Sequence, residues 1–203
     1  MITNKFLLIL LSTFLLAACG GGSDSNEAGP SSGAASTGVF LDGPVEGLQY
    51  ETITQSGTTN KLGEYLYLAQ EIVTFSIGGI VLGSTRAAPV VTPLSLVGGA
   101  INANDPRVTN IVRLLLSLDS DANPGNGISI SSATRIAASG LTVDFNAANL
   151  ELDEGISRLL TLLPAVTLVD ASTAQAHFSE TLAALSNWGS FKWGSGTWRS
   201  AAQ

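Results

Sequence analysis

Short apolar runs alternate with polar residues and glycines between residues 39 and 82. A period of two places the apolar side chains on one face of a strand, whereas clusters of Gly, Pro and Asp mark the turns between strands. The pattern predicts five short strands, at 39–41, 48–53, 65–68, 72–77 and 80–82. Strands of this length, with a turn every eight to ten residues, favour a small antiparallel β-sandwich.

The apolar period becomes helical from residue 105 onward. Asp105 is placed to cap a helix, and Pro106 suits the first helical position. The apolar residues that follow recur every three or four positions and share one face: Val108, Ile111, Val112, Leu115 and Leu118. This spacing predicts a helix that packs its apolar face on a core.

Three further helices are predicted, at 131–140, 152–164 and 169–187. Ser131 or Ser132 can cap the first and Gly140 can end it, while Pro164 closes the second. Asp170 is the expected cap of the third. The apolar side of that last helix comprises Ala174, Phe178, Thr181, Leu182 and Leu185.

Two stretches are predicted to be extended rather than helical. Pro89 and Pro93 oppose a regular helix in 83–99, which is expected to be a connector, and 141–145 is expected to be a short extended piece. The predicted fold class is therefore α+β: a small antiparallel β-sandwich over 39–85, followed by a helical lobe over 86–187 and a Trp/Gly-rich tail over 188–203.

The N-terminus has the pattern of a secretion signal. Lys5 precedes an apolar run over 6–16, which is too short to span a bilayer as a mature helix. The run ends in Leu16-Ala17-Ala18-Cys19, which resembles the lipobox of bacterial lipoproteins. The resemblance implies a signal peptide over 1–18, a lipid on the Cys19 sulfur and an acylated new N-terminus. The alternative is an ordinary signal peptide with a chance cysteine.

The segment 19–38 is predicted to be a flexible tether. It is rich in Gly, Ser and Ala and has too little apolar surface to order itself. A Gly-rich chain of this length has a root-mean-square reach of about 25 Å. Gly20, rather than Asp, after the lipobox cysteine implies sorting to the outer membrane in a Gram-negative host. Cys19 is the only cysteine, so no disulfide forms within the chain.

Charge and motif content exclude several functions. The formal net charge is −7 and no basic run exists, which argues against nucleic-acid binding. The chain has neither a G-x-S-x-G nucleophile motif nor a phosphate-binding loop. The adjacent Asp153 and Glu154 do not point to one face of a helix, and His177, the single histidine, is expected to be structural or solvent-facing. We therefore predict no catalytic residues and no enzyme activity.

The acidic stretch LDSDANPGNGISI is the candidate metal site. Asp119, Asp121 and Asn123 match the first, third and fifth ligand positions of a calcium loop, and Gly125 could supply a carbonyl at the seventh. Pro124 replaces the usual turn glycine, and Ile130 replaces the usual bidentate glutamate. Both departures oppose an EF-hand but allow a weaker calcium site. The alternative is a polar turn between a helix and a strand.

Two resemblances bear on the fold. The corner GTTNKLGEY, residues 57–65, resembles prealbumin-like modules of the carboxypeptidase-regulatory type. The pattern from residue 39 to about 185, carried by GEYLYLAQEIVTFSIGGIVLG, VVTPLSLV, VTNIVRLLLSLDSDANPGNGISI and LVDASTAQAHF, resembles a module of bacterial surface lipoproteins and large exoproteins. That family is poorly characterised, so the resemblance implies a location and a fold rather than an activity.

The C-terminal tail contains all three tryptophans, Trp188, Trp193 and Trp198. They could form a face that stacks on sugars, begin a further domain, or pack on the core as a final strand. The resulting prediction is a lipid-anchored surface lipoprotein that acts as a non-catalytic module for a protein or glycan ligand. Two alternatives remain open: an accessory subunit of an outer-membrane assembly, or a truncated N-terminal part of a larger exoenzyme.

Overall fold

Two facing β-sheets occupy the first half of the computed structural model, which describes residues 33–188. The strands are β1 Ser36–Phe40, β2 Val45–Glu46, β3 Gln49–Glu51, β4 Ser56–Thr58, β5 Glu64–Tyr67, β6 Ile72–Ile77, β7 Ile80–Arg86, β8 Val90–Val91 and β9 Ile128–Ser129. One sheet is antiparallel with the order β4-β3-β6-β7. The other has the order β5-β1-β8, and its β1 and β8 run parallel. A separate parallel pair joins β2 to β9.

The period-two pattern explains why these strands form a sandwich. Alternate residues of β6 are buried while their neighbours are partly or fully exposed. Across the interface the ring of Phe75 lies 4.8 Å from that of Phe40 and 5.1 Å from that of Tyr65. Aromatic pairs of this kind contribute about 0.5–1.5 kcal/mol beyond the burial of their area. The sandwich interior is therefore an aromatic cluster shared by both sheets.

Helices form most of the second half. They are α1 Pro93–Leu96, α2 Pro106–Ser117, α3 Ser132–Ala137, α4 Glu154–Leu162 and α5 Ala171–Trp188, with 3-10 turns at Pro124–Asn126 and Leu150–Leu152. The predicted start of α2 is confirmed, because the Asp105 side chain accepts a hydrogen bond from the Arg107 backbone N–H at 2.9 Å. No helix within residues 33–188 is sufficiently long and apolar to cross a membrane.

One hydrophobic core connects the sheets to the helices. Ile111 and Leu115 of α2 and Phe178 of α5 are almost fully buried, in the same cluster as Phe75 of β6. Burial of such side chains contributes about 1.5–3 kcal/mol each. The α+β class predicted from the sequence is confirmed, and α2 with α5 is the helical layer of this core.

The boundaries differ from those expected. β1 begins at Ser36 and pairs with β5, so the last three residues of the predicted 19–38 tether belong to a strand. β8 and β9 lie beyond residue 85 and pair with β1 and β2. The strand part is thus completed by residues that the sequence pattern assigned to the helical lobe.

Two local predictions were wrong. Pro93 does not prevent a helix in 83–99, because it occupies the first position of α1, where no backbone N–H is needed. The strand expected over 48–53 is limited to Gln49–Glu51. Residues 141–145, expected to be a short extended piece, lie outside both helices and strands.

Candidate functional site

The acidic loop, residues 119–130, leads from the end of α2 into β9. Its two ends pair with each other, because Asp119 and Ile130 form an isolated antiparallel bridge and the Ser120 N–H donates to the Ser129 carbonyl at 3.0 Å. Between them, Pro124–Asn126 form a single 3-10 turn. The loop is therefore closed at its base and contains one regular turn.

Asp119 brings a carboxylate into the base of the acidic loop. Its side chain is only 8% exposed, and its Oδ1 accepts a hydrogen bond from the Ser129 N–H at 3.0 Å. Its Oδ2 is buried and has no hydrogen-bond partner among the described residues. A buried polar atom without a partner costs about 1–3 kcal/mol, and more when it is charged. Asp119 therefore presents an unsatisfied acceptor inside the loop.

Asp121 is a second carboxylate in the same loop. Its Oδ2 accepts from the Asn126 side-chain amide at 2.8 Å and its Oδ1 accepts from the Asn123 N–H at 3.0 Å. These hydrogen bonds, the one from Asn126 first, lower the pKa of Asp121 below its usual value, and the neighbouring Asp119 side chain contributes to the same shift. Asp121 is thus ionised at neutral pH beside another carboxyl group.

The acidic loop is seated on the turn Asp42-Gly43-Pro44 of the sandwich. The Ile128 N–H donates to the Pro44 carbonyl at 2.9 Å, and β9 continues this contact along β2. Gly127 has φ +104°, and a Cβ there would lie 2.9 Å from the Pro44 oxygen. Only glycine satisfies both conditions without displacement of the backbone.

The same turn carries a buried pair that the sequence analysis missed. Asp42 is fully buried, and its Oδ1 lies 3.2 Å from Nε2 of His177 in α5. Nε2 is also 3.2 Å from the Asp42 backbone oxygen. Among residues 33–188, neither Asp42 carboxylate oxygen has a partner of good hydrogen-bond geometry, and the ring nitrogen lies equally close to the Asp42 carbonyl and carboxylate oxygens. Nothing in the sequence pattern indicated that His177 would face a buried carboxyl group.

The pKa values of Asp42 and His177 are both raised, but for different reasons. Desolvation raises the pKa of Asp42, and the interaction with His177 only partly opposes this effect. The Asp42 carboxyl raises the pKa of His177, with a smaller contribution in the same direction from Glu180, while burial lowers it. We therefore expect the pair to retain a proton at pH values at which an isolated histidine would lose it.

The remaining predicted residues are less informative. Gly125 lies in the exposed 3-10 turn, near the Asn123 side chain, and Asn123 heads this turn without capping it. Trp188 is the last residue of α5, whereas Cys19, Trp193 and Trp198 lie outside the described residues. Within residues 33–188, no group of three or more His, Cys, Asp and Glu side chains is arranged to hold a metal. A metal in the acidic loop would therefore use two carboxylates with amide or carbonyl oxygens.

Comparison with known proteins gives no match: no protein-family model, no curated protein and no solved structure matches the chain.

Proposed function

We propose that the protein is a lipid-anchored lipoprotein of the bacterial cell envelope whose folded part is a non-catalytic binding or presentation module. The observation that carries the proposal is the position of Cys19, directly after Leu16-Ala17-Ala18 at the end of the apolar run. A small residue before the cleavage point and a thiol after it are what lipid attachment requires. An acyl chain contributes about 0.8 kcal/mol for each buried methylene, so several chains anchor a protein firmly.

The start of the fold supports this arrangement. β1 begins at Ser36, 17 positions after Cys19, and it is held on both sides by β5 and β8. An anchor at Cys19 therefore leaves a short segment between the lipid and the first strand. This segment is long enough for the domain to stand clear of the membrane surface.

The chemistry of the described residues favours binding over catalysis. The imidazole of His177 is directed at the buried Asp42, and the Asp119 carboxyl is enclosed within the acidic loop. Both groups are bound into the fold rather than presented across an open cleft. The ligand class that we propose is a protein or a glycan of the cell surface.

Acylation of Cys19 is the direct test. The full chain, expressed in a Gram-negative host, should incorporate radiolabelled palmitate and fractionate with the outer membrane. Cys19→Ala should lose the label entirely, because no other cysteine exists. Ser23→Ala, in the same segment, is the matched control and should keep it. Unchanged labelling of Cys19→Ala would refute the anchor.

Binding can be tested separately from anchoring. A form of the chain that begins at Gly20, exported by a cleavable signal peptide, should bind glycans on an array or capture an envelope protein. If a glycan is bound, Trp193→Ala and Trp198→Ala should weaken the binding, since stacking on sugars needs the ring face. If neither the glycan array nor the capture experiment detects a ligand, a purely structural role would be favoured.

A further inference from the structure

The acidic loop brings two carboxyl groups together without a counter-charge. Asp119 is buried at the end of α2, and its side chain is a neighbour of Asp121. Negative charge at a helix C-terminus is unfavourable, because the helix dipole is negative there. The basic side chains on either side of the loop are engaged elsewhere: Arg113 pairs with Glu151, and Arg135 donates to the carbonyls of Ile130 and Gly47 at 2.9 and 3.2 Å. Among residues 33–188, therefore, no basic side chain forms an ion pair with either carboxyl group of the loop.

The Asp119 carboxyl shows where a cation would lie. Its Oδ1 is fixed by the Ser129 N–H across the base of the loop, and its carboxyl group neighbours Asp121. The carboxyl is therefore directed into the loop rather than away from it. Its Oδ2, which is buried and unpartnered, is the acceptor left without a donor.

We propose that the acidic loop binds one calcium ion, with the carboxylates of Asp119 and Asp121 as its charged ligands. The Asn123 side-chain oxygen makes no hydrogen bond to a described residue and is available as a third ligand. The hydrogen bonds that Asp121 accepts do not prevent coordination, because each carboxylate oxygen has two lone pairs. Backbone carbonyls and water complete the six to eight oxygens that calcium takes.

The donor chemistry selects calcium from the common metals. All candidate ligands are oxygens, and zinc or copper sites normally include nitrogen or sulfur. Magnesium demands near-ideal octahedral geometry, which a loop held by Asx hydrogen bonds does not easily supply. The side chain of Ile130, at the twelfth position of the loop, is 2% exposed and supplies no ligand, so the affinity should be in the weak range of about 0.1–1 mM.

The site would join the two halves of the molecule. The acidic loop begins where α2 ends and is seated on Pro44, which precedes β2. Fixing Asp119 and Asp121 around one ion would hold the end of α2 against the sandwich. The inference does not depend on the lipid anchor, since it rests on the loop alone.

Thermal unfolding of the full chain in detergent tests the site. Because calcium would bind only the native state, roughly 10 mM CaCl2 should raise Tm by about 3–8 °C over the EGTA-treated protein. The same concentration of MgCl2 should give less than half of that shift. Asp119→Asn should abolish the calcium shift, because it removes a ligand charge while keeping the side-chain shape.

Asp144→Asn is the matched control. Asp144 accepts from the N–H two residues ahead and from an Asn side chain, as Asp121 does, but it lies outside the loop. This variant should keep the full calcium shift. Equilibrium dialysis of the unaltered chain with radioactive calcium adds a measurement that needs no variant, and one ion per chain should bind with a dissociation constant below about 1 mM. Unchanged melting in calcium, a shift that survives in Asp119→Asn, or no saturable binding would overturn the proposal.

Discussion

Asp42 and Asp119 are two buried carboxyl groups with opposite surroundings. Asp42 lies in the sandwich turn, and it meets His177 across 135 positions of sequence. Asp119 lies in the acidic loop and meets a backbone N–H and another acid. Both carry carboxylate oxygens without a hydrogen-bond partner of good geometry among the described residues. Asp42 faces a histidine of the chain that can carry a positive charge, whereas for Asp119 the proposed counter-charge is a bound calcium ion.

A buried carboxyl group affects stability differently when it has a partner within the chain and when it has none. A buried ion pair between distant segments can contribute little net stability, but the loss of one partner leaves an uncompensated charge. Such a pair therefore penalises any arrangement in which α5 leaves the sandwich turn. A buried carboxylate without a partner costs stability by itself, and the cost becomes a gain only when a ligand binds.

Removal of the internal partner should have the largest effect. His177→Leu leaves the fully buried Asp42 without its cation, so we expect the free energy of unfolding to fall by about 3 kcal/mol near pH 6, as measured by urea denaturation. Gln175→Leu, on the same helix, removes only a 3.2 Å hydrogen bond to Thr109 and should cost less than about 1.5 kcal/mol. Equal losses in the two variants would mean that the charge pair has no special role.

The double variant separates pairing from packing. In Asp42→Asn the buried charge is absent, so His177→Leu should then cost much less than it does in the unaltered chain. Additive effects of the two substitutions would show that Asp42 and His177 are not coupled.

The pH dependence of stability should report the same pair. The folded-state pKa of His177 is raised, so its contribution is fully present below the unfolded value of about 6.5 and is lost as pH rises through the folded pKa. The raised pKa of Asp42 acts in the same direction. We expect the free energy of unfolding to fall as pH rises above about 6.5, with a slope of at most about 1.4 kcal/mol per pH unit for one proton.

His177→Leu should flatten this decline, since the chain has no other histidine. On the acid side the carboxyl groups with lowered pKa, such as Asp105 and Glu151, act oppositely, and their contribution is lost as pH falls through their folded values. A decline above pH 6 that persists in His177→Leu would assign it to another group.

The periodicity of apolar residues predicted the secondary-structure elements but not which strands pair with each other. The alternation in β6 and the cap at Asp105 are local signals, and both gave the observed elements. The parallel pairing of β2 with β9 is not local, because it joins two-residue strands more than 80 positions apart. Strands of two residues have no period that a sequence pattern could reveal.

The same limit applies to the site. Asp119, Asp121 and Asn123 could be proposed as ligands because the ligands of a calcium loop are close together in sequence. Asp42 was interpreted only as part of a turn, and His177 only as a single histidine. One local signal was present: Asp42 directly follows an apolar strand, and an acid in that position is a candidate for burial. Its partner, His177, could be identified only from the fold.

Replacement of aspartate by asparagine should change Tm in opposite directions at Asp119 and at Asp42. In excess EGTA, Asp119→Asn removes the charge of a buried carboxyl group whose Oδ2 has no hydrogen-bond partner among the described residues. We expect Tm to rise by about 2–4 °C. Asp42→Asn should lower Tm under the same conditions, because it loses the interaction with protonated His177. Differential scanning calorimetry below about pH 6.5, where His177 is protonated, is the suitable measurement. If Asp119→Asn instead lowers Tm in EGTA, the buried carboxylate is already satisfied within the chain, and the contrast between the two acids disappears.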